Sequence, residues 1–278
     1  MKKRSIEDLT IADDFMFGAV MSDPKLCKPL LEYILNIKIK SIEYPELQKV
    51  IDKRYDSKGI RLDVYIEDDK NTVYNIEIQT TSSKNLPKRM RYYQGLIDLH
   101  TIDKGEDYLK LKKSFVIFIC TYDPFGEGRY IYTFRNRCDE NTNMTLNDDT
   151  AKIVVNSTGT RGEINDELKA ALDYIAGRAP TMPYSKDLDK AVGKVKNDEK
   201  WRERFMKLSL RDREHEKLGK YSEKVSTIKK FRNVLDESNL LKVVDDDEKI
   251  FSRIIYLIDN NPEYDDDEIA EKLLDEEE

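Results

Sequence analysis

Residues 61–79 read RLDVYIEDDKNTVYNIEIQ, and this stretch decides the fold class. Polar and apolar side chains alternate over residues 61–67 and again over 73–79, as expected of strands whose successive side chains point to opposite faces of a sheet. Between them, Asp-Asp-Lys-Asn at 68–71 has a composition typical of a turn. Two alternating segments joined by a turn predict a β-hairpin.

Helices are predicted on both sides of this hairpin. Residues 14–35 carry apolar side chains at helical spacing, and Pro24 interrupts them, which favours two helices over one. After the hairpin, Pro87 opens a helical stretch that extends to about residue 102, because proline is well tolerated in the first turn of a helix.

More strands are predicted after that helix. Residues 114–120 form a near-continuous apolar run, which is typical of a strand covered on both faces. Shorter strands are predicted near residues 130–134 and 153–155. This order of helices and strands predicts an α/β domain over residues 1–180, in which helices flank a mixed sheet.

The remaining residues, 181–278, are predicted to form an all-helical C-terminal appendage that divides by charge. Residues 184–232 have a net charge of +7 and residues 233–278 a net charge of −13, against −7 for the whole chain. The overall acidity therefore does not argue against a polyanionic partner for the rest of the chain. The basic stretch also fits a solvated helix laced with salt bridges. We expect these C-terminal helices to form a homodimer.

The composition argues against several classes of protein. No apolar run approaches the ~20 residues of a membrane span, so we expect no membrane partner, and the basic N-terminal residues lack the apolar stretch of a signal peptide. Cys27, Cys120 and Cys138 are too far apart for a zinc-binding pair and too few for a disulfide framework, which favours a reduced, cytoplasmic location. The chain has only two histidines, so we expect carboxylates to carry any catalysis.

Three polar residues of the hairpin are candidates for that chemistry. Asp63 lies in the first strand, and Glu77 and Gln79 leave the same face of the second. A polar face of this kind is common where a hairpin is exposed to solvent. If the helix and the apolar strand that follow cover it, neighbouring carboxylates would repel each other unless a cation neutralised them. Oxygen ligands of this kind suit Mg²⁺.

The order of motifs around these residues resembles that of a known nuclease family. Asp63 is followed fourteen positions later by Glu77, in the Asp…Glu-x-Gln form of the PD-(D/E)XK signature, although Leu62 replaces its proline. The flanking segments are RLDVY at 61–65, YNIEIQ at 74–79, KRMRYYQ at 88–94, FVIFIC at 115–120, PFG at 124–126, YTFRNRC at 132–138 and WR at 201–202. Over roughly residues 5–210 the chain resembles the recombination-promoting nuclease (Rpn) family, also called PD-(D/E)XK nuclease family transposases.

This resemblance implies a restriction-endonuclease-like core that cuts DNA with a metal-activated water. Asp63 and Glu77 would bind Mg²⁺ (or Mn²⁺), with the carbonyl of Ile78 as a third ligand. Gln79 stands where many relatives have lysine. A glutamine can donate and accept hydrogen bonds but cannot offset negative charge, which leaves the general base undetermined.

The resemblance also implies accessory residues. Tyr93 and Gln94 would fall near the site and contact phosphate or hold a carboxylate; the alternatives are helix packing for Tyr93 and a solvated position for Gln94. Asp14, or its neighbour Asp13, is a candidate for a further acidic residue. Asp14 is equally suited to cap the N-terminus of its helix.

A basic cluster accompanies the helix that follows the hairpin. Lys84, Lys88, Arg89 and Arg91 could clamp the DNA backbone and so give affinity that depends on salt and not on sequence. The alternative is a solvated helix surface.

The function that these features favour is a metal-dependent DNA endonuclease associated with recombination, mobile elements or defence. Intact acidic residues at positions 63 and 77 support this hypothesis. The glutamine at position 79 keeps open an alternative, a weak or inactive nuclease fold that binds DNA or regulates. A third hypothesis, compatible with either, is an oligomerisation protein whose C-terminal helices matter most.

Overall fold

Six strands form one mixed sheet in the order β1-β2-β3-β4-β6-β5. The pairs β3–β4 and β4–β6 are parallel, and the other three pairs are antiparallel. The computed structural model describes residues 5–43, 46–51, 60–243 and 248–275. Within these ranges the strands are β1 Glu46–Ile51, β2 Ile60–Glu67, β3 Val73–Gln79, β4 Ser114–Cys120, β5 Ile131–Phe134 and β6 Thr150–Asn156.

Helices make up most of the remaining described structure. Those of the N-terminal part are α1 Asp14–Met21, α2 Pro24–Leu35, α3 Leu86–Thr101, α4 Asp166–Ile175 and α5 Pro183–Asn197, with short 3₁₀ turns at Ile6–Asp8 and Tyr108–Lys110. The C-terminal helices are α6 Glu199–Phe231, α7 Glu237–Val243, α8 Glu248–Asn260 and α9 Asp266–Asp275. Over the described ranges, no helix has both the length and the apolar character needed to cross a bilayer.

The predicted fold class is confirmed. The two alternating segments form the antiparallel pair β2–β3, and Pro24 separates α1 from α2 as expected. The apolar run is the central strand β4, and all of its residues are buried. The edge strand β1 was not predicted, because its sequence, ELQKVI, does not alternate.

The helix α3 covers the face of the sheet that carries Glu77. It connects β3 to the parallel strand β4, so the chain must cross one face of the sheet between them. Its buried residues pack with those of β3 and β4 in one apolar cluster, whose members include Met90, Tyr93, Ile97, Val73, Val116 and Phe118. This packing fixes the side of α3 that faces the sheet.

Contacts divide the chain into two compact units, Met1–Arg202 and Glu203–Glu278. Helix α5, which the sequence analysis assigned to the C-terminal region, packs against α1 and α4 in the first unit. The second unit has an apolar core of its own, built from α6 to α9, with Val225, Ile228, Ile254 and Ile269 among its buried members.

Gly159, in the loop after β6, is a sensitive packing position. A Cβ atom there would lie 2.7 Å from the Cα of Tyr130, which is closer than real contacts allow. We expect Gly159→Ala to lower the free energy of unfolding by about 1–3 kcal/mol in urea titrations, because the Tyr130 backbone must move. Gly193→Ala is the matched control: it has open space in α5 and should stabilise by up to about 1 kcal/mol. Equal effects of the two changes would contradict this assignment.

Candidate active site

The structure brings Asp63 and Glu77 together at the point where the β2–β3 ladder ends. The last ladder pair at this end is Val64–Ile76, so Asp63 and Glu77 are the next residues on each strand. Here side-chain bonds take the place of the ladder: the Asp63 N–H donates to Glu77 Oε1 at 3.1 Å, and the Ile78 N–H donates to Asp63 Oδ2 at 3.1 Å. Each carboxylate is therefore held by the backbone of the opposite strand.

Glu77 is buried, with 3% of its surface exposed, whereas Asp63 is half-buried. Burial, together with the negative charge of Asp63, raises the pKa of Glu77 well above its ordinary value. Opposing contributions come from the N–H bond of Asp63 and from the charge of Arg89. A site with this balance favours either a proton on Glu77 or a bound cation.

The backbone of Ile78 faces the same region. The carbonyl of the next residue, Gln79, accepts a bond from the Thr121 N–H at 3.1 Å and so points toward the loop after β4. Successive residues of a strand direct their backbone groups to opposite sides, and the Ile78 N–H donates to Asp63 on β2. The Ile78 carbonyl therefore also points toward β2, beside the carboxylate pair.

The buried amide side chain of Asn75 lies two residues before Glu77 on β3. Asn75 is fully buried on β3, and its side chain leaves the same face of the strand as that of Glu77. In the described part of the chain this amide forms no hydrogen bond of good geometry, but its side chain interacts with Glu77 and lowers the pKa of that carboxyl. The amide therefore helps Glu77 to carry a charge in a buried place.

Gln79 does not present a free amide to the site. Its Nε2 donates to the carbonyl of Thr81 at 2.7 Å, and its Oε1 accepts from Arg89 Nη1 at 2.6 Å. Arg89 Nη2 in turn donates to the hydroxyl of Tyr93 at 3.2 Å. The guanidinium carbon lies 5.5 Å from the centre of the Tyr93 ring and 5.2 Å from that of Phe118.

The basic cluster predicted on α3 and before it therefore divides in two. Lys84, Lys88 and Arg91 are exposed, as either a DNA clamp or a solvated surface requires. Arg89 is half-buried and belongs to the network of Gln79 and Tyr93. This role was not predicted from the sequence. The only available signal was that Arg89 and Tyr93 are one helical turn apart, and Gln79 lies ten residues before Arg89.

Tyr93 and Gln94 are adjacent in α3 but lie in different surroundings. Tyr93 joins the site through Arg89. The amide nitrogen of Gln94 donates to Asp98 at 2.9 Å and to Ser114 at 2.7 Å, and Ser114 is at the start of β4, far along the strand from the residue paired with Glu77. Gln94 is buried, so the expectation of a solvated position is wrong, and the structure does not bring it to the carboxylate pair.

At the N-terminus of α1 the cap position belongs to Asp13. The helix begins at Asp14, whose Oδ1 accepts a bond from the Phe15 N–H at 2.7 Å. Asp13 Oδ2 accepts one from the Thr10 N–H at 2.7 Å. The expectation that Asp14 is the N-cap is therefore wrong by one residue, because the helix starts one position earlier than a cap at Asp14 requires. The side chain of Asp13, at the N-cap position, forms no capping bond to the helix.

Acidic ligands are few at this site. In the ranges that the structure describes, no group of three or more His, Cys, Asp and Glu side chains is arranged to hold a metal ion. A cation bound here would take two carboxylates from the protein and the rest of its ligands from carbonyl oxygens, water or substrate. Mg²⁺ commonly binds in this manner.

A mixed sheet flanked by helices, with Asp63, Glu77 and Gln79 at one end of its hairpin, is consistent with a nuclease-type fold. The chain belongs to the PD-(D/E)XK nuclease family transposases: the model of that family matches residues 12–173, more than half of the chain. Membership of this family supports a nuclease-type function. Searches of curated proteins and of solved structures gave no significant match.

The raised pKa of Glu77 gives the folded protein a pH dependence of known sign. Because Glu77 binds its proton more tightly in the folded than in the unfolded state, stability falls as pH rises from the ordinary value toward the folded one. In EDTA, we expect Glu77→Gln to stabilise the protein relative to wild type, and the gain should be larger at neutral pH than at pH 5. The gain is on the order of 1 kcal/mol for each pH unit by which the pKa is raised.

Urea unfolding of both proteins across this pH range measures the difference. Glu163→Gln is the control, because Glu163 is exposed and should show no such trend. A gap between wild type and Glu77→Gln that does not change with pH would contradict the assignment.

Proposed function

We propose that this protein is a metal-dependent DNA endonuclease that hydrolyses phosphodiester bonds, with Mg²⁺ or Mn²⁺ held by Asp63, Glu77 and the carbonyl of Ile78. The observation that carries the proposal is a pair of neighbouring carboxylates, one of them buried. Each accepts a hydrogen bond from the backbone of the opposite strand. In a family of nucleases, such a pair is the natural place for the reaction.

The residues present fit a hard divalent cation. Two carboxylates and a carbonyl directed to the same region are the oxygen ligands that Mg²⁺ and Mn²⁺ prefer. The buried amide of Asn75 interacts with Glu77 and adds a further polar group beside them. A bound cation would stabilise charge on a phosphoryl oxygen and make water a better nucleophile.

The chain itself contributes positioning and charge. Asp63 and Glu77 are fixed before substrate binds, because each is tied to the backbone of the other strand. A preorganised site of this kind needs little rearrangement during the reaction. The exposed residues Lys84, Lys88 and Arg91 would contact backbone phosphates and align the DNA on α3.

The family description favours a role in recombination or with mobile elements, and defence remains within the same proposal. The alternative is a weak or inactive nuclease fold that binds DNA or acts as a regulator. One observation favours the alternative: Gln79 replaces the lysine of the signature, and both ends of its amide are engaged with protein groups. Homodimerisation through the C-terminal helices and a cytoplasmic location remain predictions.

Cleavage of supercoiled plasmid tests the active site. We expect wild type to nick DNA in Mg²⁺ or Mn²⁺ and not in EDTA. Asp63→Asn and Glu77→Gln keep the shape of the side chains but remove a charged ligand, and each should lower the rate by about 100-fold or more. Glu163→Gln, exposed and outside the site, should cut like wild type.

Two results would contradict the assignment. Equal cutting by all four proteins would show that these carboxylates do not act in the reaction. Specific DNA binding by a wild type that cuts under no metal condition would favour the binding alternative.

Binding of short duplexes tests the exposed part of the basic cluster. Lys88→Glu/Arg91→Glu should weaken binding to unrelated sequences alike and reduce the slope of log affinity against log salt by about 2, because two phosphate contacts are lost. Lys186→Glu/Lys194→Glu makes the same charge change on exposed positions of α5 and serves as the control. A loss confined to one sequence, or an equal loss in the control, would contradict the clamp.

A further inference from the structure

The position that carries a lysine in the nuclease signature carries Gln79 here, and Gln79 is committed to holding an arginine. Its Oε1 accepts a short bond of 2.6 Å from Arg89 Nη1, while its Nε2 donates to the Thr81 carbonyl at 2.7 Å. With both ends of the amide engaged, Gln79 can orient a water molecule only if one of these bonds breaks.

Arg89 is held in a defined orientation. A second bond joins its Nη2 to the hydroxyl of Tyr93, one helical turn along α3. The guanidinium also lies close to the rings of Tyr93 and Phe118, which restrict its plane. Two bonds and two rings leave the half-buried group little freedom to move.

The guanidinium has binding capacity that the protein does not use. An arginine carries five N–H donors, of which Gln79 and Tyr93 accept two. In the described part of the chain, Arg89 forms no ion pair with a carboxylate. The charges of Glu77 and Asp63 nevertheless act on it, which places it in the electrostatic field of the carboxylate pair.

A partly buried cation with free donors beside two carboxylates suits a phosphate group. The planar fork of arginine matches two phosphate oxygens at once, and the group stays charged at every physiological pH. Lysine at the signature position would supply positive charge from β3. In this chain the positive charge is that of Arg89 on α3, and its hydrogen bond to Gln79 holds it at the end of β3.

We propose that Arg89 binds the scissile phosphate and offsets the negative charge that develops on it, and that Gln79 is the positioning residue that aims Arg89. The inference rests on the proposed endonuclease activity. In the reaction, the oxygen of water bonds to phosphorus and the bond from phosphorus to the sugar oxygen breaks. Water leaves one hydrogen on the phosphate and gives its other proton to the sugar oxygen, and Arg89 exchanges no proton.

The test measures kcat and KM for plasmid or oligonucleotide cleavage by variants of the full chain. We expect Arg89→Ala to lower kcat by about 100- to 1,000-fold, as the loss of a preorganised donor does elsewhere. Guanidinium ion at millimolar concentration should restore part of this rate. Arg178→Ala removes an exposed arginine that follows α4 and has no role in the proposed site; it is the matched control and should keep the kcat of wild type.

Changes at Gln79 separate positioning from other roles. Gln79→Ala should lower kcat in the wild-type background but cost nothing further in Arg89→Ala, because its effect passes through Arg89. Gln79→Lys/Arg89→Ala should recover activity over Arg89→Ala alone, since it returns a cation to the signature position. A purely structural role of Arg89 predicts neither the non-additivity nor the recovery.

The outcomes distinguish this inference from the function on which it rests. If wild type does not cut with any metal, the proposed function fails. If wild type cuts and a folded Arg89→Ala cuts equally well, or if the losses at Gln79 and Arg89 are additive and guanidinium restores nothing, the inference about Arg89 is wrong and the function stands. Should Arg89→Ala unfold, Arg89→Lys keeps the charge and loses the fork. An unchanged kcat in that variant would overturn the proposal, and a fall of tenfold or more with little change in KM would support it.

Discussion

Two carboxylates that must share one end of a β-hairpin impose the main constraint on this molecule. Asp63 and Glu77 occupy neighbouring positions because the antiparallel register places them there, and their like charges oppose each other under a covering helix. The exchanged N–H bonds, from Asp63 to Glu77 and from Ile78 to Asp63, offset part of this cost. With no cation bound, this arrangement lowers the free energy of unfolding. It also provides oxygen ligands that are already in place for a cation.

The sheet topology explains why the covering helix is also the source of positive charge. Strands β3 and β4 are parallel neighbours, so the chain between them must cross a face of the sheet, and α3 crosses the face that carries Glu77. The first turns of α3 therefore lie near the end of β3, where Gln79 meets Arg89. A helix that packs through Met90 and Ile97 farther along its length keeps this contact in place.

Burial divides the basic residues of this region by their surroundings. Lys84 before α3 and Lys88 and Arg91 on it are exposed, so water and salt screen their charges. Arg89 lies between aromatic rings and beside an amide, where water screens charge less. Residues of one sequence cluster thus act in different ways, although they are separated by only a few positions.

The sequence by itself determined the α/β class, the hairpin, the central buried strand and the shared face of Glu77 and Gln79. All of these follow from periodicity, which is local: a period of two assigns each strand side chain to a face, whatever lies above it. The edge strand β1 was not predicted because its sequence lacks that period. The placement of α5 in the first unit was not predicted because its packing partners lie far away in sequence. Tertiary structure alone decided that Arg89 is drawn inward to Gln79, that Gln94 turns to Ser114 and that α1 begins at Asp14 with Asp13 at its N-cap position. The physical reason is that these contacts depend on how α3 packs on the sheet and on where α1 begins. Both are determined by many contacts between residues that are far apart in sequence.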